Sequence, residues 1–104
     1  MTDSRGGITP QLDAVIHPPH RLQICALLNA AREVEFGTLR EHLGVSDSVL
    51  SKQVAHLVGA GYVEQRRALK DSRHRVWLRL TTPGRAAYQR HLAALHAILD
   101  ASHP

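Results

Sequence analysis

The chain has 104 residues, 43% of them hydrophobic, and its 13 Lys and Arg against 9 Asp and Glu give a formal net charge of +4. This length predicts a single domain, and no apolar run approaches the roughly 20 residues that cross a bilayer, which excludes a membrane-spanning protein. The single cysteine excludes an internal disulfide, and the polar N-terminus is unlike a signal peptide, so a cytoplasmic protein is expected.

The first element is predicted to be a short helix behind a disordered arm. Residues 1–8 are polar and contain glycine, which is typical of a disordered terminus, so the single domain is expected to span residues 9–104. A threonine followed by proline is a common helix start, and about two helical turns are predicted after Thr9-Pro10. The apolar residues of these turns are Leu12, Val15 and Ile16.

A second helix is predicted from Pro19 to about Ala31, because proline ends the preceding helix and is tolerated in a first turn. Its inward stripe consists of Ile24, Leu27 and Leu28. Cys25 lies beside this stripe and is interpreted as a buried, inert thiol, with a redox switch as the alternative. A three-residue strand is predicted at residues 34–36.

Two helices joined by a tight turn form the centre of the sequence. Residues 36–43 have apolar side chains at helical spacing, Gly44 lies in the turn, and a second helix is predicted to reach about residue 60. The apolar stripe of this second helix is Leu50, Val54, Leu57 and Val58. The opposite face, centred on Lys52, carries small and polar residues, as expected of a helix that enters a DNA major groove.

The start of this second helix supplies the candidate DNA contacts. Ser46 is the predicted N-cap. Asp47 has two interpretations, the preferred one being a role in capping the helix and the other a contact to a cytosine amino group. The candidate contacts to base edges and adjacent phosphates are Ser46, Ser48, Val49, Ser51, Lys52 and Gln53.

After Gly61 the apolar period changes from 3.6 to 2, which predicts a β-hairpin. Residues 75–80 alternate cleanly, and residues 62–68 are their predicted partner strand. Between Tyr62 and Arg85 there are seven basic and two acidic residues, a net charge of +5 against +4 for the whole chain. Such a concentration of positive charge is typical of nucleic-acid binding, although a solvated basic surface is the simpler alternative.

The tip of this hairpin carries the second set of candidate DNA contacts. Arg73 is predicted to enter the minor groove, since narrow A·T grooves attract arginine. Asp71 is predicted to pair with an arginine of the hairpin and to orient it. The full set is Lys70, Asp71, Ser72, Arg73, His74 and Arg75.

A final helix is predicted from about Arg85 to Ala101, with a preceding threonine as its N-cap. Its apolar residues have the spacing of a short coiled-coil seam, which predicts a two-fold dimer. The alternative is that this seam only covers the helix's own domain. The candidate dimer-interface residues are Leu12, Ile16, Tyr88, Leu92, Leu95 and Leu99.

Two sequence patterns resemble the multiple-antibiotic-resistance regulator (MarR) family and its arsenic-repressor-type relatives. The first is L-x-x-x-L-G-V-S-x-S-x-L-S-K-x-V-x-x-L-x-x-x-G-Y-V, from Leu39 to Val63. The second is the hairpin tip with the following Leu80-Thr81 and Gly84-Arg85, which looks like the family's D-x-R…L-T-x-x-G pattern. The resemblance covers roughly residues 19–100, in a short, stand-alone form of arsenic-repressor-like length.

The resemblance implies a mainly α fold with a small β-hairpin (α+β), a winged helix-turn-helix of order helix-helix-strand-helix-helix-strand-strand-helix. It also implies a homodimeric regulator that binds a pseudo-palindromic site in double-stranded DNA. The recognition helix, residues 46–58, would lie in the major groove and the wing, residues 66–76, in the minor groove. Repression is the expected mode, and a small-molecule effector is left unidentified.

Two alternatives of other classes stay open. One is a metal- or redox-responsive regulator of the same fold, for which the eight histidines offer no local metal-binding spacing. The other is a winged helix that contacts protein instead of DNA. No catalytic motif, cofactor motif or metal motif is present, so the chain is not predicted to be an enzyme or to bind a cofactor.

Overall fold

A helix-turn-helix and a β-hairpin stand on a framework made by the first and last helices. The computed structural model describes residues 11–101. The predicted arm, residues 1–8, and the predicted helix start at Thr9-Pro10 lie outside this range. The elements within it are α1 (Pro19–Ala30), β1 (Val34–Glu35), α2 (Phe36–Leu43), α3 (Asp47–Gly59), β2 (Val63–Lys70), β3 (Arg73–Leu80) and α4 (Thr82–Ala101).

The predicted α+β winged helix-turn-helix class is confirmed. One predicted element is wrong, because residues 14–16 form a turn and the first helix within residues 11–101 is α1. Asp13 explains the difference: its Oδ1 accepts the backbone N–H of Val15 at 2.9 Å and that of Ile16 at 3.2 Å. An aspartate that bonds nearby backbone in this way competes with a helix.

The three strands form one antiparallel sheet in the order β1-β3-β2. The predicted strand at residues 34–36 is one residue too long, since Phe36 already begins α2. The hairpin is longer than predicted, because β2 continues to Lys70 and β3 begins at Arg73. The connection is therefore only two residues long.

The core lies between one face of the sheet and the helices. Leu50, Val54 and Leu57 of α3 are buried there as predicted, but Val58, predicted on the same stripe, is 36% exposed. Position 58 is the last apolar position before the helix ends, so little protein remains to cover it. The other large side chains of the core are Ile16, Ile24, Leu28, Leu39, Leu78 and Tyr88.

Close backbone packing joins the hairpin to α4. Thr81 caps α4 as predicted, its Oγ1 accepting the N–H of Gly84 at 2.9 Å. Gly84 is buried, and a Cβ on it would lie 2.0 Å from the carbonyl oxygen of Tyr62. Only glycine therefore lets α4 approach the chain where it leaves α3 and enters β2.

Candidate nucleic-acid interface

The recognition helix α3 begins with the predicted cap. The Ser46 Oγ accepts the backbone N–H of Val49 at 3.2 Å, and it also lies 3.2 Å from the hydroxyl of Ser48. The turn before it is possible because Gly44 has a φ of +66°, a left-handed conformation that glycine adopts freely. The cap and the turn set the angle at which α3 leaves α2.

Asp47 is neither the cap nor a free group. Its Oδ1 lies 2.7 Å from the Arg40 guanidinium of α2, so the carboxylate links the two helices of the motif. Ser46 supplies the capping oxygen, and Asp47 lies in the first turn of α3, where a negative charge interacts favourably with the helix dipole, as the preferred interpretation expects. The cation of Arg40 offsets the negative charge of Asp47 at the exposed start of α3.

The outward face of α3 is open along its first two turns. Five of the six candidate contacts are exposed, among them the cap Ser46, and Gln53 is half-buried. Among residues 11–101, Lys52 has no ion pair or side-chain hydrogen bond, so its charge is available to a ligand. The exposed members within α3 are Ser48, Val49, Ser51 and Lys52.

The hairpin reverses through Asp71 and Ser72, whose φ angles are +53° and +62°. Two consecutive left-handed residues are typical of a type I′ turn, which suits the twist of a two-residue hairpin. We call residues 67–74 the wing tip. We call residues 63–66 and 75–80 the wing base.

The wing base carries three arginines, and each faces a carboxylate. Arg66 lies 2.8 Å from Glu33 and 5.8 Å above the centroid of the Trp77 ring. The hydrogen bond to Arg66 lowers the pKa of Glu33, more than its partial desolvation raises it. The remaining pairs of the wing base are Arg75 with Glu35 and Arg79 with Glu64.

The wing tip carries cations without such partners. Within the described range, Arg67, Lys70 and Arg73 form no ion pair and no side-chain hydrogen bond. Asp71 was predicted to pair with a wing arginine, and this is wrong: it occupies the turn and pairs with none of the described arginines. The candidate Arg75 differs from the others, because Glu35 already holds its guanidinium.

A partly buried polar cluster joins the N-terminal segment to Tyr62 and α4, and the sequence did not reveal it. Asp13 donates its backbone N–H to Nδ1 of His91 at 2.9 Å and accepts the Tyr62 hydroxyl on Oδ2 at 2.7 Å. His17 Nδ1 lies 3.4 Å from His91 Nε2. These four residues are up to 78 positions apart in sequence, so no local spacing could have indicated them.

The hydrogen bonds assign the tautomer of His91. Since its Nδ1 accepts a backbone N–H, the neutral ring carries its proton on Nε2 and directs it at His17. His91 is 0% exposed, and this burial lowers its pKa, with the nearby His17 lowering it further. A protonated Nε2 is a donor and not a metal ligand.

The structure also tests two other candidates, the thiol of Cys25 and a metal site. Cys25 is buried as predicted, and burial, followed by the negative charge of Asp13, raises its pKa to about 12. A buried, protonated thiol is the unreactive form. Within residues 11–101, no three His, Cys, Asp or Glu side chains come together in a group that could hold a metal ion.

The candidate dimer residues fall into two groups. Ile16 is 0% and Tyr88 7% exposed, so both side chains belong to the core of their own chain. Leu12, Leu92 and Leu95 are half-buried, and Leu99 is 59% exposed.

None of the helices within residues 11–101 is both long and apolar enough to span a membrane.

The order of the elements, the capped α3 and the projecting hairpin define a winged helix. The winged helix DNA-binding domain model matches residues 20–99, and the chain belongs to this family. The resemblance to MarR-type winged-helix regulators drawn from the sequence is confirmed. It is a DNA-binding regulator by family.

Similar proteins are found in archaea and bacteria. A transcriptional regulator homologue from Pyrococcus horikoshii OT3 is 25% identical with a TM-score of 0.79, covering 84% of this chain and 86% of its own. The transcriptional repressor BigR from Xylella fastidiosa is 31% identical with a TM-score of 0.65, covering 81% and 78%. The uncharacterized protein MJ0432 from Methanocaldococcus jannaschii is 29% identical over 72 residues, 69% of this chain and 78% of its own.

Proposed function

We propose that this protein is a homodimeric repressor that binds a pseudo-palindromic site in double-stranded DNA. The observation that carries the proposal is the distribution of unpaired positive charge. Lys52 on α3 and three cations of the wing tip have no carboxylate partner among the described residues, whereas every arginine of the wing base has one. Unpaired positive charge is thus present on both of the elements that would face DNA, and the hairpin keeps it at the wing tip rather than at the wing base.

In this proposal α3 lies in the major groove and the wing tip in the adjacent minor groove. Lys52 contacts guanine or a phosphate, and Gln53 reads adenine, while the short Ser48 and Ser51 permit close approach. Arg73 enters the minor groove. Arg67, Lys70 and His74 contact phosphates, which set the register and make the affinity depend on salt.

The dimer would form through the terminal elements. Leu99 leaves a large apolar surface exposed near the end of α4, and Leu92 and Leu95 continue it along the helix. Two recognition helices related by a two-fold axis then fit half-sites about 34–36 Å apart. Repression, the activity named for BigR, would follow from occupying a promoter.

The test is a binding titration against duplex DNA that flanks the protein's own gene, with a scrambled duplex beside it, at two salt concentrations. Lys52→Ala and Arg73→Ala should each weaken binding by about 1–3 kcal/mol. Arg79→Ala is the matched control, since it removes an equally exposed arginine that Glu64 already neutralises. Its affinity should stay near that of the wild type.

Two results would contradict the proposal. One is equal, salt-insensitive binding to both duplexes, which would favour a winged helix that contacts protein. The other is a sedimentation mass of one chain for the wild type. Leu99→Asp should convert a dimer to single chains, and because this side chain is exposed the substitution leaves the core intact.

A further inference from the structure

The most exposed large apolar side chain among the described residues lies at the wing tip. Leu69 is 66% exposed, more than Val49, Val58, Ile98 or Leu99. It is the last residue but one of β2 and lies directly opposite His74. An exposed leucine at the end of a projecting hairpin has no covering within the described part of its own chain.

Leu69 does not continue the apolar stripe of its strand. Successive side chains of a strand alternate between faces, so Val63, Gln65, Arg67 and Leu69 share one face. Val63 is buried, but the next two residues on that face are polar and exposed. On β3 the same face carries the buried Leu80 and Leu78 and the half-buried Val76, but Leu69 lies beyond Val76, opposite the exposed His74.

Distance also separates Leu69 from the core. Toward the tip, the last fully buried side chain of the hairpin is Leu78, which lies opposite Gln65. Leu69 lies four residues farther out, about 13 Å at the rise of a β-strand. Because Leu69 is 66% exposed at this distance, a role toward a partner explains it better than a role in the core.

The surroundings of Leu69 indicate a polyanion as that partner. Arg67 shares its face, and Lys70 and Arg73 form the adjacent rung. Within the described range none of these three cations is neutralised by a carboxylate. An apolar side chain surrounded by free cations matches a groove whose rims are phosphates and whose walls are sugars and base edges.

We propose that Leu69 is an apolar DNA contact of the wing, inserted into the minor groove beside Arg73. This inference rests on the proposed function and deepens it. The cations bind the two phosphate rims, and Leu69 removes water from the groove wall between them. Leucine is among the apolar residues that proteins insert into minor grooves.

The contact has a distinct thermodynamic signature. A cation that meets a phosphate releases counterions, so its loss lowers the dependence of log affinity on log salt by about one. The uncharged Leu69 releases no counterions when it contacts DNA. Leu69→Ala should weaken binding about tenfold at every salt concentration, with an unchanged salt slope, whereas Arg73→Ala should lower both affinity and slope.

The experiment measures dissociation constants by fluorescence anisotropy over a series of salt concentrations, using the duplex that the wild type enriches from a random-sequence pool. Leu69→Met keeps an apolar side chain and should retain the wild-type affinity. Unchanged affinity in Leu69→Ala would overturn the inference, and so would a lower salt slope, which would mean that the wing had lost phosphates. Failure of the wild type to enrich any duplex would instead overturn the proposed function.

A second arm tests the groove. Base pairs beneath the wing, located by footprinting, are replaced by G·C or by inosine·cytosine; only guanine places an amino group in the minor groove. The wild type should prefer the inosine duplex, and Leu69→Ala should lose part of that preference. Equal binding of both duplexes by the wild type would exclude a minor-groove contact.

Discussion

Three arginines of the wing base and the three cations of the wing tip belong to one hairpin, but their electrostatic settings differ. At the base, Glu33 and Glu35 come from the segment around β1 and Glu64 from β2, and each holds one arginine. At the tip, the hairpin has left β1 behind, so no carboxylate of that segment reaches it. Three of the seven basic residues between Tyr62 and Arg85 are therefore paired with a carboxylate, which counting along the sequence does not show.

The difference separates two roles. At the base, Arg66 and Arg75 bind the hairpin to the segment around β1, and Arg79 links its two strands. The unpaired cations at the tip keep their charge for a ligand. A base that holds the hairpin firmly also reduces the entropy that DNA binding would cost. The predictions below perturb one region at a time and ask whether the other responds.

The largest effect is expected where the wing base meets α4. Gly84→Ala would place a Cβ 2.0 Å from the Tyr62 carbonyl oxygen, so backbone must move. The free energy of unfolding should fall by about 3 kcal/mol, measured by urea denaturation. Gly37→Ala is the control, because nothing lies within 4 Å of its added methyl, and it should be neutral or slightly stabilising. Equal stability of the two variants would show that the junction is not tightly packed.

Loss of an arginine should reduce the affinity for DNA at the wing tip and the stability of the fold at the wing base. Arg73→Ala should cost about 1–3 kcal/mol of DNA affinity and leave the melting temperature unchanged, since its side chain contacts no described carboxylate. Arg79→Ala should lower the free energy of unfolding by less than about 1 kcal/mol and leave affinity unchanged. Similar losses of affinity in both variants would abolish the distinction between the regions.

Acidification should lower the stability of the part of the domain that supports the wing base, and not that of the wing tip. Burial lowers the pKa of His91, so the unfolded chain takes up a proton that the folded chain excludes. This contribution to stability is complete above the ordinary histidine pKa of about 6.5 and is lost as the pH falls through that value toward the lower folded pKa. His91→Gln should flatten the pH dependence of the melting temperature relative to wild type.

His96→Gln is the matched control for this test. His96 is an exposed histidine on the same helix, and its replacement should leave the pH dependence as in the wild type. The link runs through Asp13, which bonds both His91 and the hydroxyl of Tyr62, the residue that precedes the wing base. An identical pH dependence in both variants and the wild type would show that His91 does not carry the titration.

The smallest effect should come from releasing a paired arginine. Glu64→Gln removes the carboxylate that holds Arg79, and the stability change should be a few tenths of a kcal/mol, as is typical of exposed pairs. Binding to a scrambled duplex should strengthen at low salt, because one more cation becomes available. Unchanged nonspecific binding in an electrophoretic mobility titration would mean that the wing base lies too far from DNA to contribute.

The elements of the fold could be predicted because their signals are local. The spacing of apolar residues in α3, the serine cap at its start and the alternation of β3 each involve neighbours in the chain. The short helix predicted from Leu12 to Ile16 was wrong because its local signal was overridden by a contact with a distant part of the chain. Its apolar spacing was helical, but Asp13 directs its carboxylate to the backbone and to Tyr62, a residue 49 positions away.

The sequence by itself determined the winged-helix order, the recognition helix and the presence of a basic hairpin, since periodicity, caps and turn residues act within a few positions. Only the tertiary structure decided which of the basic residues keep their charge, because the carboxylates of the wing base arrive from as far as 40 positions away. The same holds for His91, whose partners come from the other end of the chain. Pairing across a sheet or between distant helices depends on which surfaces the fold brings together, and that information is not local.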